Sequence, residues 1–570
     1  MPSIDYKSKP FHLTDADILW VEKTLESLSP EEKIGQLFCL TDITTDPAAL
    51  TAMVEKYHPG GYLTRAADGE EVAAAFKAMN EASRVPLLFP CNLESGGNGI
   101  ANAGTFFARP LQVAATGDVK YAKMLGKVCA EEGGAIGCNW SLAPIVDIDY
   151  NWRNPITNVR TFGSDPDTVL DMAEAYLDGV AESEYSMAVC IKHFPGDGVD
   201  ERDQHLLPTV NDLSAEEWMA TYGRIYRTLI EKGAATVMAG HIMAPELERM
   251  VDPKVKNSDL RPGSQSKNLL TGLLREKLGF NGLIVTDATP MVGFSALSRR
   301  VDAIRDAINA GSDMLMFCKN MDEDYGFVRE AIRSGSISME RINEAVARQL
   351  ALKASLGLHR QPELSGDLSK VGCETHRMWA AACADRAVTL VRDTEHILPV
   401  SAAKTPRVRL TVLGEGADGG FGDGGSIGGV LKAALEKEGF EVALYDYATM
   451  EHGEIFYCGV DMMKAKFDLS VVAANVSTGS NHTTRRLDWI SLMAANEPWY
   501  GKDILTLFIS FCNPYHMIDV PFMDCFINAY SSNEFCVEAT VEKLVGKSEF
   551  VGKNPVDPYC GGACRMVWED

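Results

Sequence analysis

The residues best equipped for chemistry lie at positions 192–205, KHFPGDGVDERDQH. Two imidazoles (His193, His205), the amine of Lys192, the guanidinium of Arg202 and the carboxylates of Asp197, Asp200, Glu201 and Asp203 share this stretch. Pro195, Gly196 and Gly198 exclude a regular helix through it. An imidazole beside a carboxylate is suited to proton transfer: histidine titrates near about 6.5, and an ionised neighbour orients the ring and raises that value. The stretch closes on such an Asp-x-His, Asp203-Gln204-His205. Metal binding is the competing chemistry and fits poorly. Asp197, Asp200 and Asp203 recur every third residue, whereas a calcium loop needs oxygen ligands at alternate positions and a closing glutamate. His193 and His205 lack a standard zinc spacing, so no metal is assigned. A solvated, charged loop is the remaining alternative, and the elements around the stretch have to decide.

From about residue 30 to 360, short apolar runs alternate with amphipathic stretches. The runs are GGYLT (60–64), VPLLFP (85–90), WSLAPIVDI (140–148), MAVCIKHF (187–194), AATVMAGHI (234–242), LIVTDA (283–288) and DMLMFCK (313–319). Helical patterns such as KYAKMLGKVCAEEGG and VDAIRDAINAG separate them, which is the βαβ rhythm of a parallel sheet. The runs are continuously apolar rather than alternating, as expected of a (β/α)8-type TIM barrel buried on both faces. Chemistry in such barrels collects at the strands' C-terminal ends. Asn92 and Glu94 follow the second run, Lys192 and His193 close the fourth, His241 the fifth and Asp287 the sixth. The charged stretch therefore starts at a strand end and continues as a loop over the same face.

Ser29-Pro30-Glu31-Glu32 supplies an N-cap serine, proline at N1 and glutamate at N3, so a helix opens the domain there. ISMERINEAVARQLALKASLGL closes it near Leu358, and HRQPELSGDLSK has linker character. Apolar runs resume with VRLTVL, EVALYDY, LSVVAANV, ILTLFISF and CFINAY, the pattern of a doubly wound α/β sandwich domain. The expected division is residues 1–360 for the barrel, 361–385 for a linker and 386–570 for the second domain.

At 570 residues, 46% hydrophobic and 23% charged, the chain has ample apolar mass for two cores. Its net charge of −25 argues against nucleic acid or an anionic membrane as partner. The N-terminus lacks a signal-peptide apolar run, no membrane-spanning apolar stretch occurs, and the cysteines lie in apolar contexts without a CxxC pair. A cytoplasmic protein with reduced thiols is expected. Cys560 and Cys564 sit close in YCGGAC, but two ligands without a second pair make a poor zinc site. Gly414, Gly416 and Gly419 form a GxGxxG after a strand, with Asp446 placed like a ribose-binding acid. FGDGGS delays the following helix, so no dinucleotide, and no cofactor of any kind, is expected.

KHFPG, GFNGLIVTDA, NWSLAPIVDIDYNWRNPITNVRTFGSDP and DAINAGSDMLMF together resemble the signatures of glycoside hydrolase family 3. The resemblance continues into DRAVTLVRDTEHILPV and NPYHMIDVP of the second domain. It implies a retaining mechanism in which Asp287 attacks the anomeric carbon; the chain reads Thr286-Asp287-Ala288 where many members have SDD or SDA. Asp203-Gln204-His205 matches the Asp-x-His acid/base dyad of the family's β-N-acetylglucosaminidase branch. His205 would protonate the leaving oxygen and Asp203 would orient it. Lys192, His193 and Arg160 match sugar-hydroxyl contacts; Asn92 falls where an aspartate of a DQEGG-like motif is common, and Glu94 could share its task. The resemblance implies an exo-acting β-N-acetylglucosaminidase on a small carbohydrate, with phosphorolysis (phosphate as acceptor) and β-glucosidase or β-xylosidase activity as alternatives.

Overall fold

Short apolar runs bounded by polar helices become eight parallel strands. They are β1 (Phe38–Thr41), β2 (Gly61–Leu63), β3 (Pro90–Cys91), β4 (Trp140–Ser141), β5 (Ala188–Phe194), β6 (Thr236–Ala239), β7 (Leu283–Ala288) and β8 (Met314–Met316). Their order in the sheet is β2-β1-β8-β7-β6-β5-β4-β3. The two end strands meet as well: the N–H of Tyr62 donates to the Leu88 carbonyl at 2.9 Å and the N–H of Leu88 to the Gly60 carbonyl at 3.1 Å. A nearly closed (β/α)8-type barrel results. The structure, a computed structural model, describes residues 4–360, 366–414, 427–446, 449–451, 453, 455, 457–489 and 496–565.

Six of the strands fall within the expected runs, and β3 straddles the end of VPLLFP. The eighth, β1, lies in QLFCL directly after the helix Pro30–Gln36 and has only four residues, too few to show a period of its own. That helix opens as expected: the Ser29 N–H donates to Glu32 Oε2 at 2.8 Å, and the Glu32 N–H to Ser29 Oγ at 3.3 Å. Every residue of β5 is buried, as both faces of a parallel sheet must be.

The second unit is built on a six-stranded sheet of β9 (Thr389–Asp393), β10 (Arg407–Leu413), β11 (Glu441–Leu444), β12 (Leu469–Ala474), β13 (Leu505–Ser510) and β14 (Cys525–Asn528). The order is β9-β14-β13-β12-β10-β11, parallel except for the antiparallel pair β9 and β14. Successive residues of β12 serve opposite cores. Val471 and Ala473 pack with Leu431, Leu435 and Val537, while Val472 and Ala474 pack with Leu111, Ala115 and Val159.

Those last three residues show that the units are not contiguous in sequence. Met1–Phe107, Ala122–Asn151 and Pro166–Arg377 form the first; Ala108–Tyr121, Trp152–Asp165 and Met378–Asp570 form the second. Two excursions from the first 360 residues thus cover one face of the second sheet with apolar side chains. The helix Glu374–Ala387 occupies much of the stretch read as a linker, whose residues 361–365 lie outside the described residues. Of the GxGxxG, Gly414 follows β10 directly, and Gly416 and Gly419 lie outside the described residues. Among the described residues no helix is long and apolar enough to cross a membrane.

Candidate active site

The strand ends that carry the candidate residues are irregular. The register of β5 against β6 shifts between Ile191 and Phe194, and that of β7 against β8 shifts beside Thr286 and Asp287. A bulge of this kind re-aims side chains at the cost of ladder bonds. Side chains make up part of the loss: Thr286 Oγ1 accepts the N–H of Met316 at 3.1 Å. Lys192, His193 and Asp287 therefore stand at places where the barrel gives up regularity.

Asp147 organises the buried side of the site. Its Oδ1 accepts the backbone N–H of His193 (3.0 Å) and of Asp197 (2.8 Å), and its Oδ2 lies 2.7 Å from His193 Nδ1. A carboxylate can only accept, so His193 carries its proton on Nδ1 and turns Nε2 toward Asp287 Oδ2, 3.8 Å away. That separation is too long for a hydrogen bond. Asp287 Oδ1 accepts the N–H of Ala288 at 2.7 Å. Burial pushes the Asp287 carboxyl up, but His193, His241 and His205 outweigh it and hold the group down at about 2. It is an ionised carboxylate with an open side.

His241 is held neutral. Burial, reinforced by His205 and His193 and opposed by Asp287, lowers it to about 4. Its Nε2 lies 3.1 Å from the Ala288 carbonyl and its Nδ1 2.9 Å from Ser264 Oγ. The carbonyl requires the proton on Nε2, and Nδ1 accepts from the hydroxyl.

The dyad is formed. His205 Nδ1 lies 2.7 Å from Asp203 Oδ1, which also accepts the His205 N–H at 2.8 Å. Asp203 is buried and the His205 side chain is 20% exposed. The carboxylate fixes the proton on Nδ1, leaving Nε2 as the group that can give or take one. His205 is close enough to Asp287 to lower its pKa.

Lys192 and Glu94 are also brought together, with Lys192 Nζ 2.8 Å from Glu94 Oε1 and both side chains largely buried. Asn92 is half-buried just beyond β3. Arg160 ends the short helical turn Asn158–Arg160, which belongs to the second unit.

One part of the loop reading is corrected. Asp197 and Asp200 are not solvation charges. Asp197 is 2% exposed and accepts Gln204 Nε2 at 3.2 Å. Asp200 accepts Arg202 Nε at 2.8 Å and the N–H of Val210 at 2.9 Å. Gly196 is closely packed. With φ of +123°, a Cβ there would lie 2.4 Å from the ring of Tyr222, so glycine permits close packing. Asp147 and His241 are the partners that were not assigned roles from sequence. Their signal was position, since WSLAPIVDI and AATVMAGHI both end on them or beside them.

A parallel barrel that gathers an ionised carboxylate at one strand end and an oriented imidazole in the loop after another is arranged as barrel enzymes are, with its chemistry at the strands' C-terminal ends. The model of the "Glycosyl hydrolase family 3 N terminal domain" matches residues 29–352, and the chain belongs to glycoside hydrolase family 3. It is 41% identical over 562 residues to a β-N-acetylglucosaminidase/β-glucosidase of Cellulomonas fimi, covering 98% of this chain and 99% of that protein. Among solved structures, the β-glucoside phosphorylase BglX bound to 2FGlc superposes with a TM-score of 0.92 at 42% identity, covering 98% and 99% of the two chains. A family 3 β-N-acetylglucosaminidase from Paenibacillus sp. str. FPU-7 shares the fold at a TM-score of 0.77 and 22% identity, over 93% of this chain and 99% of that one.

Proposed function

We propose that the protein is a retaining, exo-acting β-glycosidase that removes terminal β-linked N-acetylglucosamine from short glycosides. The observation that carries this reading is the ionised Asp287 beside a histidine cluster that includes the Asp203-oriented His205. In the first step Asp287 forms a bond to the anomeric carbon while the proton on His205 Nε2 passes to the departing oxygen. In the second, His205 Nε2 takes a proton from the acceptor as that acceptor displaces Asp287. Asp203 stays ionised and steadies the imidazolium. Lys192, His193, Glu94 and Asn92 are assigned to sugar hydroxyls, and no cofactor is needed. The free thiols throughout the chain support a reducing, cytoplasmic setting.

The second reading is phosphorolysis, in which phosphate replaces water as acceptor. It is favoured by an acid/base that is neutral when it receives the acceptor's proton, because a neutral imidazole repels phosphate less than a carboxylate does. The 42% identity with a β-glucoside phosphorylase points the same way. Comparing p-nitrophenyl β-glycosides of N-acetylglucosamine and glucose, with and without phosphate, separates the readings. Free N-acetylglucosamine in both conditions supports hydrolysis, sugar 1-phosphate supports phosphorolysis, and a preference for glucose overturns the N-acetylglucosamine specificity. Full activity in both Asp287→Asn and His205→Ala would overturn the mechanism.

A further inference from the structure

Between the two members of the dyad stands Gln204, whose side chain is fully buried. Its Oε1 accepts the backbone N–H of His241 at 2.8 Å, and its Nε2 donates to Asp197 Oδ2 at 3.2 Å. These partners fix the amide's orientation, since the N–H of His241 can only donate and a carboxylate only accept. From Asp197 the connection runs on. The Asp197 N–H donates to Asp147 Oδ1, Asp147 Oδ2 holds His193 Nδ1, and His193 Nε2 faces Asp287. A path of hydrogen bonds thus leads from the centre of the 203–205 loop to His193, whose Nε2 ends 3.8 Å from the strand-end carboxylate.

Three barrel strand ends meet this one residue. The bulged end of β5 reaches it through Asp197, and the segment after β6 through His241. The turn after β7 closes over its backbone: the Val292 N–H donates to the His205 carbonyl at 3.0 Å, and a Cβ on Gly293 would lie 2.3 Å from the Gln204 carbonyl oxygen. Farther along, the Thr209–Val210 strand pairs with Ile242–Met243 and ties the loop's return to the segment that carries His241. Residues 203–205 have no ladder of their own in this register. Backbone bonds from Val292, Leu206 and Leu207 hold their two ends, and the doubly bonded Gln204 is their midpoint.

We propose that Gln204 is a positioning residue that sets His205 at its working distance from Asp287. The proposal rests on the reading of His205 as acid/base. Gln204 touches no reacting atom; it acts by fixing the loop on which the proton donor rides.

Leaving groups that need a proton should feel its loss, and those that do not should not. Gln204→Met keeps the volume and removes both bonds; Gln204→Glu keeps the acceptor for the His241 N–H and sets a second carboxylate oxygen against Asp197. Each variant is compared with the wild type on an unactivated alkyl β-glycoside and on a 2,4-dinitrophenyl β-glycoside, whose phenolate leaves unaided. Displacing a catalytic group by an ångström costs up to about 100-fold, so kcat/KM on the alkyl glycoside should fall about 10- to 100-fold. On the dinitrophenyl glycoside, which needs little proton donation, it should fall less than about threefold. Equal losses on both substrates, no loss on either, or failure of both variants to fold would overturn the proposal; if only Gln204→Met misfolds, Gln204→Glu decides. His205→Ala is measured alongside. If it shows no such leaving-group dependence, the acid/base reading has failed and the proposal falls with it; if it does and the Gln204 variants do not, only the proposal has failed.

Discussion

Two carboxylates, the partly exposed Asp287 and the fully buried Asp313, lie at opposite ends of neighbouring barrel strands, and each faces several cationic or basic groups. Asp313 precedes β8, at its N-terminal end. Its Oδ2 accepts from Arg275 Nη2 at 2.6 Å and from the N–H of Ile284 at 3.0 Å, and its Oδ1 accepts from Arg341 Nη2 at 2.8 Å. Arg348 Nε stands 3.9 Å away. Asp287, at the C-terminal end of β7, has one backbone donor at 2.7 Å and a ring nitrogen at 3.8 Å. The first carboxylate is saturated by forked guanidiniums and cannot react. The second is kept ionised by its neighbours without being enclosed by them. What distinguishes Asp287 from Asp313 is unfilled coordination together with partial exposure, not nearby charge.

The sharpest way to break this contrast is to neutralise each carboxylate in turn. Asp287→Asn should lower kcat on the order of 10⁴-fold. Its thermal midpoint should move by no more than about 3 °C, measured by calorimetry on the same sample. Asp313→Asn should do the reverse. Uncompensated guanidiniums in a dry site cost about 3–5 kcal/mol, visible as a lower denaturation midpoint, while the folded fraction keeps its kcat. An activity loss in Asp313→Asn that exceeds the unfolded fraction would erase the distinction.

A pH titration sharpens it further. His241 is lowered to about 4 in the folded protein, against about 6.5 when unfolded, so the unfolded chain binds the extra proton between those values. Stability should therefore be fully present above about pH 6.5 and fall as the pH drops toward 4, by on the order of 3 kcal/mol for this group. Asp287, at about 2, stays ionised throughout that window. Chemical denaturation from pH 7 to pH 4 checks the slope, and His241→Asn should flatten it. The smallest effect belongs to Asp147→Asn. With His193 less firmly oriented, kcat/KM should fall about 10- to 100-fold, and a loss as large as that of Asp287→Asn would make Asp147 a reacting group.

Much of this site could be read from sequence, because strand ends are local. LIVTDA is a continuous apolar run that ends on Asp287, and β7 spans those same residues. The contact of Asp203 with His205 was likewise legible, since the two are two residues apart and their bond needs no distant partner. Asp147 was not, because the ladder of its run ends at Ser141 and the chain continues irregularly before the carboxylate turns toward His193. Asp197 and Gln204 were hidden for a related reason. In a polar loop a charge facing water and one facing a buried amide have the same spelling, and only tertiary packing separates them. The second unit showed its strands plainly but not its membership: nothing periodic marks Leu111, Ala115 and Val159 as belonging to the face of a sheet that begins near residue 389.

The central claim, that Asp287 is the open carboxylate that forms a bond to sugar, is tested most directly by trapping. The protein is incubated with 2-deoxy-2-fluoro-β-D-glucosyl fluoride, whose fluorine slows release of the intermediate, then digested and mapped by mass spectrometry. The account predicts one fluoroglucosyl adduct, located on Asp287 and absent from Asp287→Asn. An adduct on another carboxylate, or inactivation that persists unchanged in Asp287→Asn, would contradict it.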